Sequence, residues 1–532
     1  MESFSEVAST GTNSVKIQDN EILSPFVEPS TQDTFFNTGF TRLYSRDAIS
    51  NSTGSYLFEY ERELLPKVHD LSSLICEVYT SIVKVENGVE LPITKEDNVS
   101  VTNNFVDSLW SRIRMSINNA DAYSSPPNRY HYVQLSRLLC LDEPIDGKGF
   151  NYLSLSSKDD NPDSLEADLN PGFFDRQARF RASVDDVNAK YQKDPDEERL
   201  AARDSGTSPA TLTEEEAFLQ SSDGNAKAVL GKQQKSAEEE VMDDISRRTS
   251  RVNRRVYGLG TLTYGFMTCK QFLPFNSSLQ IQLDRESDEY LLHAISNSSS
   301  EAKKYKIKIH NVGLYLKYYL LKDDIYKHLK SKYESGLRTK MFFFKPYTHA
   351  TLMEVGTRHF SKDIGFRGRQ LCKLFVVFMK PQRYNGNREY CSGIYKQPPK
   401  LQTASLRQGD RDPLQLAPNM LRTPATSLLE KLYFDFLVNL QVLGAETERN
   451  TISFEKFKST AFVMSMNCVA SGTLQSDKLP LLREGPIHLD ILLEEPLSKP
   501  MYVFYLGYTV STLSVAPGQP CLISDELSYE RN

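Results

Sequence analysis

The side chains best suited to chemistry lie between residues 338 and 388. Arg338, Lys340, Lys345, Arg358, Lys362, Arg367, Arg369, Lys373, Lys380, Arg383 and Arg388 follow one another there, with only Glu354 and Asp363 against them. Phe342, Phe343, Phe344, Phe366 and Tyr384 are interleaved. Guanidinium and ammonium groups contact phosphates, and rings set between them can stack on bases. The plainer alternative puts the aromatics in a core and leaves the basic groups to solvent or to a subunit contact. Both readings stay open on sequence, the plainer being the commoner outcome. The run marks where a phosphate-facing basic surface would lie.

Other chemistry finds no matching arrangement. Carboxylates run together at Glu214–Glu216 and Glu238–Glu240, as they do on solvated helix faces. Neither a GxSxG elbow nor a P-loop is present. Gly258, Gly260 and Gly265 lack GxGxxG spacing and sit in a strand-like stretch, where glycine marks a bend or bulge. His349 and His359 flank Glu354 at a spacing that fits no helical metal motif. The seven cysteines are scattered without a CxxC pair, which fits reduced thiols better than a disulfide framework or a zinc module. The expectation is a protein that is not an enzyme and uses no cofactor, metal or small-molecule substrate.

β-strands must position whatever these residues do. At Lys304–His310 the chain alternates, with Tyr305, Ile307 and Ile309 on one side and Lys304, Lys306 and Lys308 on the other. That period of two belongs to a strand with one face on a core and one in water. It recurs at Arg112–Ile117, Thr261–Phe266, Leu279–Leu283 and Ile487–Leu493. The 27 Tyr and 28 Phe against a single Trp suit β-rich cores. A chain of 532 residues predicts two or three domains. A net charge of −6 argues against a surface wholly devoted to nucleic acid. The first residues lack a signal-peptide layout, and no apolar window is long enough for a membrane helix.

Composition then divides the chain. Residues 1–30 are polar and read as a flexible arm. Strands are expected at Phe35–Tyr44, Ser55–Tyr60, Leu74–Val85, Val106–Ile117, Gly258–Cys269 and Leu279–Leu283, and a proline-opened helix at Arg129–Cys140. Residues 156–250 carry an excess of acids and few aromatics, so they read as a long, partly helical charged insertion. A Ser- and Asn-rich linker at His293–Ser300 sets the first domain at 31–300 and the second at 301–515. The second block adds strands at Gly313–Leu321, Thr339–Pro346, Leu371–Met379, Leu432–Val442, Thr460–Val469 and Met501–Val510. It also holds a helix at Lys322–Tyr333 and a loop at Gln397–Thr426, and residues 516–532 read as a tail. SLQIQL at 278–283 and IHLDILL at 487–493 hint at a tandem repeat.

The order of phrases resembles a known family. LSSLICEVYTSIVKVENG (71–88), FVDSLWSRIRMSINN (105–119), RYHYVQLSRLL (129–139), GLGTLTYGFMTCKQFLPFNSSLQIQLDRES (258–287), KIKIHNVGLYLKYYLL (306–321) and PIHLDILLEEPLSKPMYVFYLGYTVSTLSV (486–515) together are similar to the double jelly-roll major capsid proteins of Maverick/Polinton elements and adinto-type viruses. The resemblance implies an all-β fold of two tandem eight-stranded jelly rolls, with the charged insertion in the first roll standing out as a tower. It implies a homotrimer forming pseudo-hexagonal capsomers of an icosahedral double-stranded DNA virus or virus-like element. Partners would be the chain itself in a capsid lattice, a penton or cement protein, and packaged DNA or an inner layer. The location would be the virion capsid, assembled in host cytoplasm or nucleus. Two other classes stay open: a minor vertex or cement protein, and a tandem β-sandwich binding module from a domesticated element.

Overall fold

A computed structural model describes residues 34–46, 54–63, 65–93, 97–139, 153–157, 171–181, 255–269, 271–294, 304–364, 371–388, 395–396, 398, 401–408, 425–440, 452–468 and 486–524. The first strands are β1 (Phe35–Tyr44), β2 (Ser55–Tyr60), β3 (Lys67–Glu86), β4 (Val89–Pro92), β5 (Val99–Val101), β6 (Trp110–Ile117), β7 (Ala120–Ser124), β8 (Val256–Thr261), β9 (Leu279–Arg285), β10 (Leu292–Ala294) and β11 (Tyr305–Leu321). Then come β12 (Thr339–Met353), β13 (His359–Ile364), β14 (Lys373–Met379), β15 (Leu401–Gln408), β16 (Val463–Asn467), β17 (Ile487–Leu493), β18 (Met501–Val515) and β19 (Leu522–Ser524).

The sheets repeat one antiparallel plan. In the first half β1-β11-β3-β8 lies with β2-β9-β6-β7, and β4 extends the end of β3. In the second half β12-β18-β14-β16 lies with β13-β17-β15. The last long strand of each half sits between the first and third of its own half, and the winding closes each half as a jelly roll. The fold is therefore all-β, a double jelly roll. SLQIQL and IHLDILL lie on β9 and β17, which hold the same central place in the two smaller sheets.

Pairing corrects several expectations. The break at residue 300 comes one strand early: β11 pairs with β3 from Tyr305↔Lys84 to Leu320↔Lys67, and with β1 from Phe35↔Leu321 to Tyr44↔Gly313. The crossing to the second roll is thus made by the helix Asp323–Glu334. Residues 295–303 lie outside the described residues, and composition alone carries no register. Residues 425–440 are a helix, although their aromatics read as strand; Leu432, Phe436 and Asn439 form its buried stripe. The expected loop at 397–426 contains β15, the expected tail contains β19 against β18, and Phe105–Ser108 is a helical turn ahead of β6.

The charged insertion begins inside the first roll. Its helix Pro171–Phe180 buries Phe173, Gln177 and Phe180, and Gln177 Nε2 donates to the Asp97 carbonyl at 3.0 Å. That portion is docked on the first roll, where the expectation was an insertion projecting as a tower or as a cap over trimer neighbours. The remainder of the insertion and residues 1–30 lie outside the described residues.

Among the described residues two large cores form, with a small third cluster of Val68, Phe275 and Leu321 under the helix Asp323–Glu334, and β12 and β18 belong to both large ones. Met341, Phe343, Leu513 and Val515 join the first core around Trp110, while Met353, Met501 and Val503 join the second. Gly265 sits where the first roll meets β12: a Cβ there would come within 2.9 Å of the Tyr123 ring, 3.0 Å of Phe343 and 3.1 Å of the Phe344 carbonyl. Gly265→Ala is therefore expected to lower stability by about 1–3 kcal/mol, read as a shift in the urea midpoint. A Cβ on Gly258 or Gly260 would come within 2.8 or 3.1 Å of Val106, so close approach to the Phe105–Ser108 turn accounts for both glycines.

Candidate functional site

The helix Arg129–Leu139 bridges the two rolls, and a buried ion pair fixes its start to the first of them. Pro126-Pro127 cannot continue a β-ladder, Asn128 takes a left-handed conformation (φ 56°), and the chain then turns into the helix Arg129–Leu139. Arg129, its first residue, points inward to Asp107 on the Phe105–Ser108 turn. The two side chains are 0% and 1% exposed, so the pair is fully out of water. Nη2 of Arg129 bonds Asp107 Oδ1 and donates to the Thr263 carbonyl at 3.0 Å. Nη1 donates to the carbonyls of Asp107 (2.7 Å) and Trp110 (2.8 Å), and Thr263 N–H donates to Asp107 Oδ1 at 3.0 Å. The cluster ties the turn, β6 and the chain beyond β8 to the helix.

The rest of that helix serves the second roll. Tyr132, Val133, Leu135 and Leu139 lie in the second core, and Ser136 Oγ meets the Tyr508 hydroxyl at 3.1 Å. His131 stacks on Tyr384 (5.1 Å between centroids) and its Nε2 is 2.9 Å from the Tyr384 carbonyl; Tyr384 stacks in turn on Tyr502 of β18 at 4.1 Å. Asn128 Nδ2 donates to the Tyr384 hydroxyl (3.0 Å), and the Tyr290 hydroxyl donates to the Tyr384 carbonyl (3.1 Å). Burial pushes the His131 imidazole down to about 4, a shift the Tyr384 carbonyl only partly opposes. Gly386 (φ 74°) lies under the Tyr290 ring, where a Cβ would meet ring atoms at 2.9 Å. Gly386→Ala is thus strained twice, in its backbone and against Tyr290. It is expected to lower the thermal midpoint by several degrees, read by calorimetry.

The basic run does not assemble into one patch. Arg338 donates to Gln519 Oε1 at 2.8 Å at one end of β12, whereas Arg358 follows the other end. A strand of 15 residues at about 3.4 Å each puts those ends about 50 Å apart. Lys340, Arg358, Lys362 and Lys380 are exposed, while Lys345 is half-buried beside the Tyr347 ring. Lys373 is buried on β14, and burial pushes its ammonium down to about 8. Arg383 and Arg388 are also buried, the latter donating to the Tyr305 carbonyl at 2.7 Å and lying 3.3 Å from Glu289. Arg367, Arg369 and Phe366 lie outside the described residues. Of the interleaved aromatics, Phe343 is in the first core and Tyr384 in the roll junction. His349 stacks on Tyr505, away from His359 on β13.

Arg129, Asp107 and His131 went unnoticed in the sequence as a site. Their one signal is an arginine and a histidine amid the Tyr, Val and Leu of RYHYVQLSRLL, a mixture equally common on half-exposed helices.

No family model matches the sequence, and no curated protein matches it. Solved structures do. A chain of the Sputnik virophage, from a cryo-EM structure, is similar at 11% identity over 94% of this chain and 90% of that one, with a TM-score of 0.52. The mavirus major capsid protein aligns at 7% identity over 94% and 93% of the two chains, with a TM-score of 0.45. The Faustovirus major capsid protein aligns at 7% identity over 92% of each, also with a TM-score of 0.45.

Proposed function

We propose that this chain is a major capsid protein whose task is mechanical. The observation that carries this reading is the duplicated roll, fixed as one block by the Arg129–Asp107 cluster and by strands that enter both cores. The likeness of fold to a chain of the Sputnik virophage, over nearly the whole of both chains, supports it. Two similar rolls per chain let three copies present six, so a pseudo-hexagonal capsomer can tile an icosahedral shell from one gene product. Enclosure of double-stranded DNA in a virus or a Maverick/Polinton-type element then needs neither a catalytic group nor a cofactor. Partners are further copies, a penton or cement protein, and packaged DNA or an inner layer, which the exposed Lys340, Arg358, Lys362 and Lys380 could meet. The place is the virion capsid, assembled in host cytoplasm or nucleus.

Negative-stain microscopy of the purified protein tests this. Trimeric particles with a hexagonal outline are expected. Single-chain particles at every concentration would remove the capsid reading.

A further inference from the structure

We infer that the outer face of the β1-β11-β3-β8 sheet is the surface on which a second copy of this chain packs. The inference rests on the capsid reading and names the surface that serves it.

The corresponding sheet of the second roll shows what a covered sheet looks like. Every residue of β14 is buried, and so is β18 from Val503 to Ser511, so that sheet has neighbours on both faces. The helix Arg129–Leu139 is one of them. The first-roll sheet has a buried inner face, with Leu43, Leu314, Leu316, Cys76 and Val78. Its outer face carries aromatics; Phe272, Phe275 and the helix Asp323–Glu334 pack on its Val68–Leu321 end, and beyond Phe40 and Lys317 it is mostly half-buried or exposed. Register aligns Tyr44, Gly313, Glu77 and Leu259 in one row across the four strands, and Arg42, Tyr315, Ile75 and Thr261 in the next. Tyr79 pairs Tyr257 beyond the first row, and Phe40 pairs Lys317 beyond the second. Tyr44 is 65% exposed and Phe40 51%, and Phe36 on the same strand is 60% exposed.

These side chains are held in place before any partner arrives. Arg42 Nη2 lies 2.5 Å from Glu77 Oε2, and the Tyr315 hydroxyl donates to the same oxygen at 3.2 Å. The Arg42 guanidinium lies over the rings of Tyr44 (4.9 Å) and Tyr315 (5.6 Å). Gly313 leaves the room, since a Cβ there would come to 3.0 Å from Glu77 Oε2. Preset Tyr, Phe and Arg side chains with their charges already paired are the make-up of interface centres.

The other sheet of the same roll shows how a face left to water is built. There Gln280 donates to Glu59 (2.7 Å), Gln282 donates to Ser55 (2.6 Å), and Arg114 lies 3.9 Å from Asp284. The contrast lies within one roll, so solubility of the whole chain does not explain it. Size points to a protein partner. From the Phe40–Lys317 pair to the Tyr79–Tyr257 pair the face holds about 23 residues, which at about 4.8 Å between strands and about 3.4 Å per residue is roughly 400 Å² before side-chain relief, about half of the about 800 Å² that each partner contributes to a standard interface. β1 is its outer edge, with no strand beyond it among the described residues. A second copy fits such a face, and a shell supplies copies at high local concentration.

The test compares three proteins by analytical ultracentrifugation: the full chain, F40D/Y44D, and Q280K on the polar face as a control. The inference expects multimers for the full chain and for Q280K. It expects single-chain mass for F40D/Y44D, with association weakened at least a hundredfold and an unchanged urea midpoint. Multimers of F40D/Y44D as strong as those of the full chain overturn the inference while leaving the capsid reading standing. A full chain that never associates overturns both. Hydroxyl-radical labelling of the unmodified chain needs no variant: labelling of Phe36, Phe40 and Tyr44 should drop severalfold on assembly. Equal labelling of dilute and assembled protein also overturns the inference.

Discussion

Arg129→Met is expected to lower the stability of the protein by about 3–5 kcal/mol, because it strands a carboxylate that water cannot reach. Asp107 is 1% exposed, and its Oδ1 would keep only the Thr263 N–H as a donor. The carbonyls of Asp107, Trp110 and Thr263 would lose the guanidinium as well. Asp107→Leu in the same background removes the stranded charge but not the orphaned carbonyls. The double variant should therefore recover part of the loss and not all of it. Urea unfolding of the wild type and the three variants measures the cycle. A single Arg129→Met variant within 1 kcal/mol of wild type would show that the cluster does not hold the junction.

Mild acid is the second expected lever. His69 and His131 are pushed down to about 4 and His293 to about 3, with burial the largest cause at each. Lys67 adds to the effect at His69, and Arg176 and Arg383 add to it at His293. An unfolded imidazole titrates near about 6.5. Between that value and the folded ones, the unfolded chain binds protons that the folded chain refuses. This stability is complete above pH about 6.5 and is lost progressively as pH falls to about 4, on the order of 3 kcal/mol for each histidine. Glu286 and Asp288 act in the opposite sense, since burial raises their carboxyls and they protonate earlier in the fold. The clean measurement is therefore a difference. Urea midpoints of wild type and His131→Gln, taken from pH 7 to pH 4, should show a shallower decline for the variant. Parallel declines would mean that His131 is not a titrating group of the junction.

Much of the fold was legible because a strand with one wet face writes a period of two into local sequence. β17 begins and ends where alternation does, β1 and β2 match stretches set off by Asn, Ser, Gly and Pro clusters, and the helix 323–334 falls where Lys322–Tyr333 was read as helical. The aromatic stripe of 425–440 was misread because Leu, Tyr and Phe serve a buried helix as well as a strand, and only its contacts with the second core separate the two. Of the site, the basic run was visible as residues but not as a place. Lys373, Arg383 and Arg388 read like Lys340 and Lys362, yet the first three are buried.

The amino-acid sequence by itself determined the class of most elements and their rough limits, and only hinted at the repetition of one roll. Tertiary structure alone decided where one roll stops, which charges are dry and which sheet face stays open. β11 pairs with β3 across more than two hundred residues, and Arg129 meets Asp107 and the Thr263 carbonyl, 134 residues further on, in one buried cluster. Periodicity records which side of a residue faces a core; it carries no address for what covers the opposite side, since that depends on segments brought together from far along the chain.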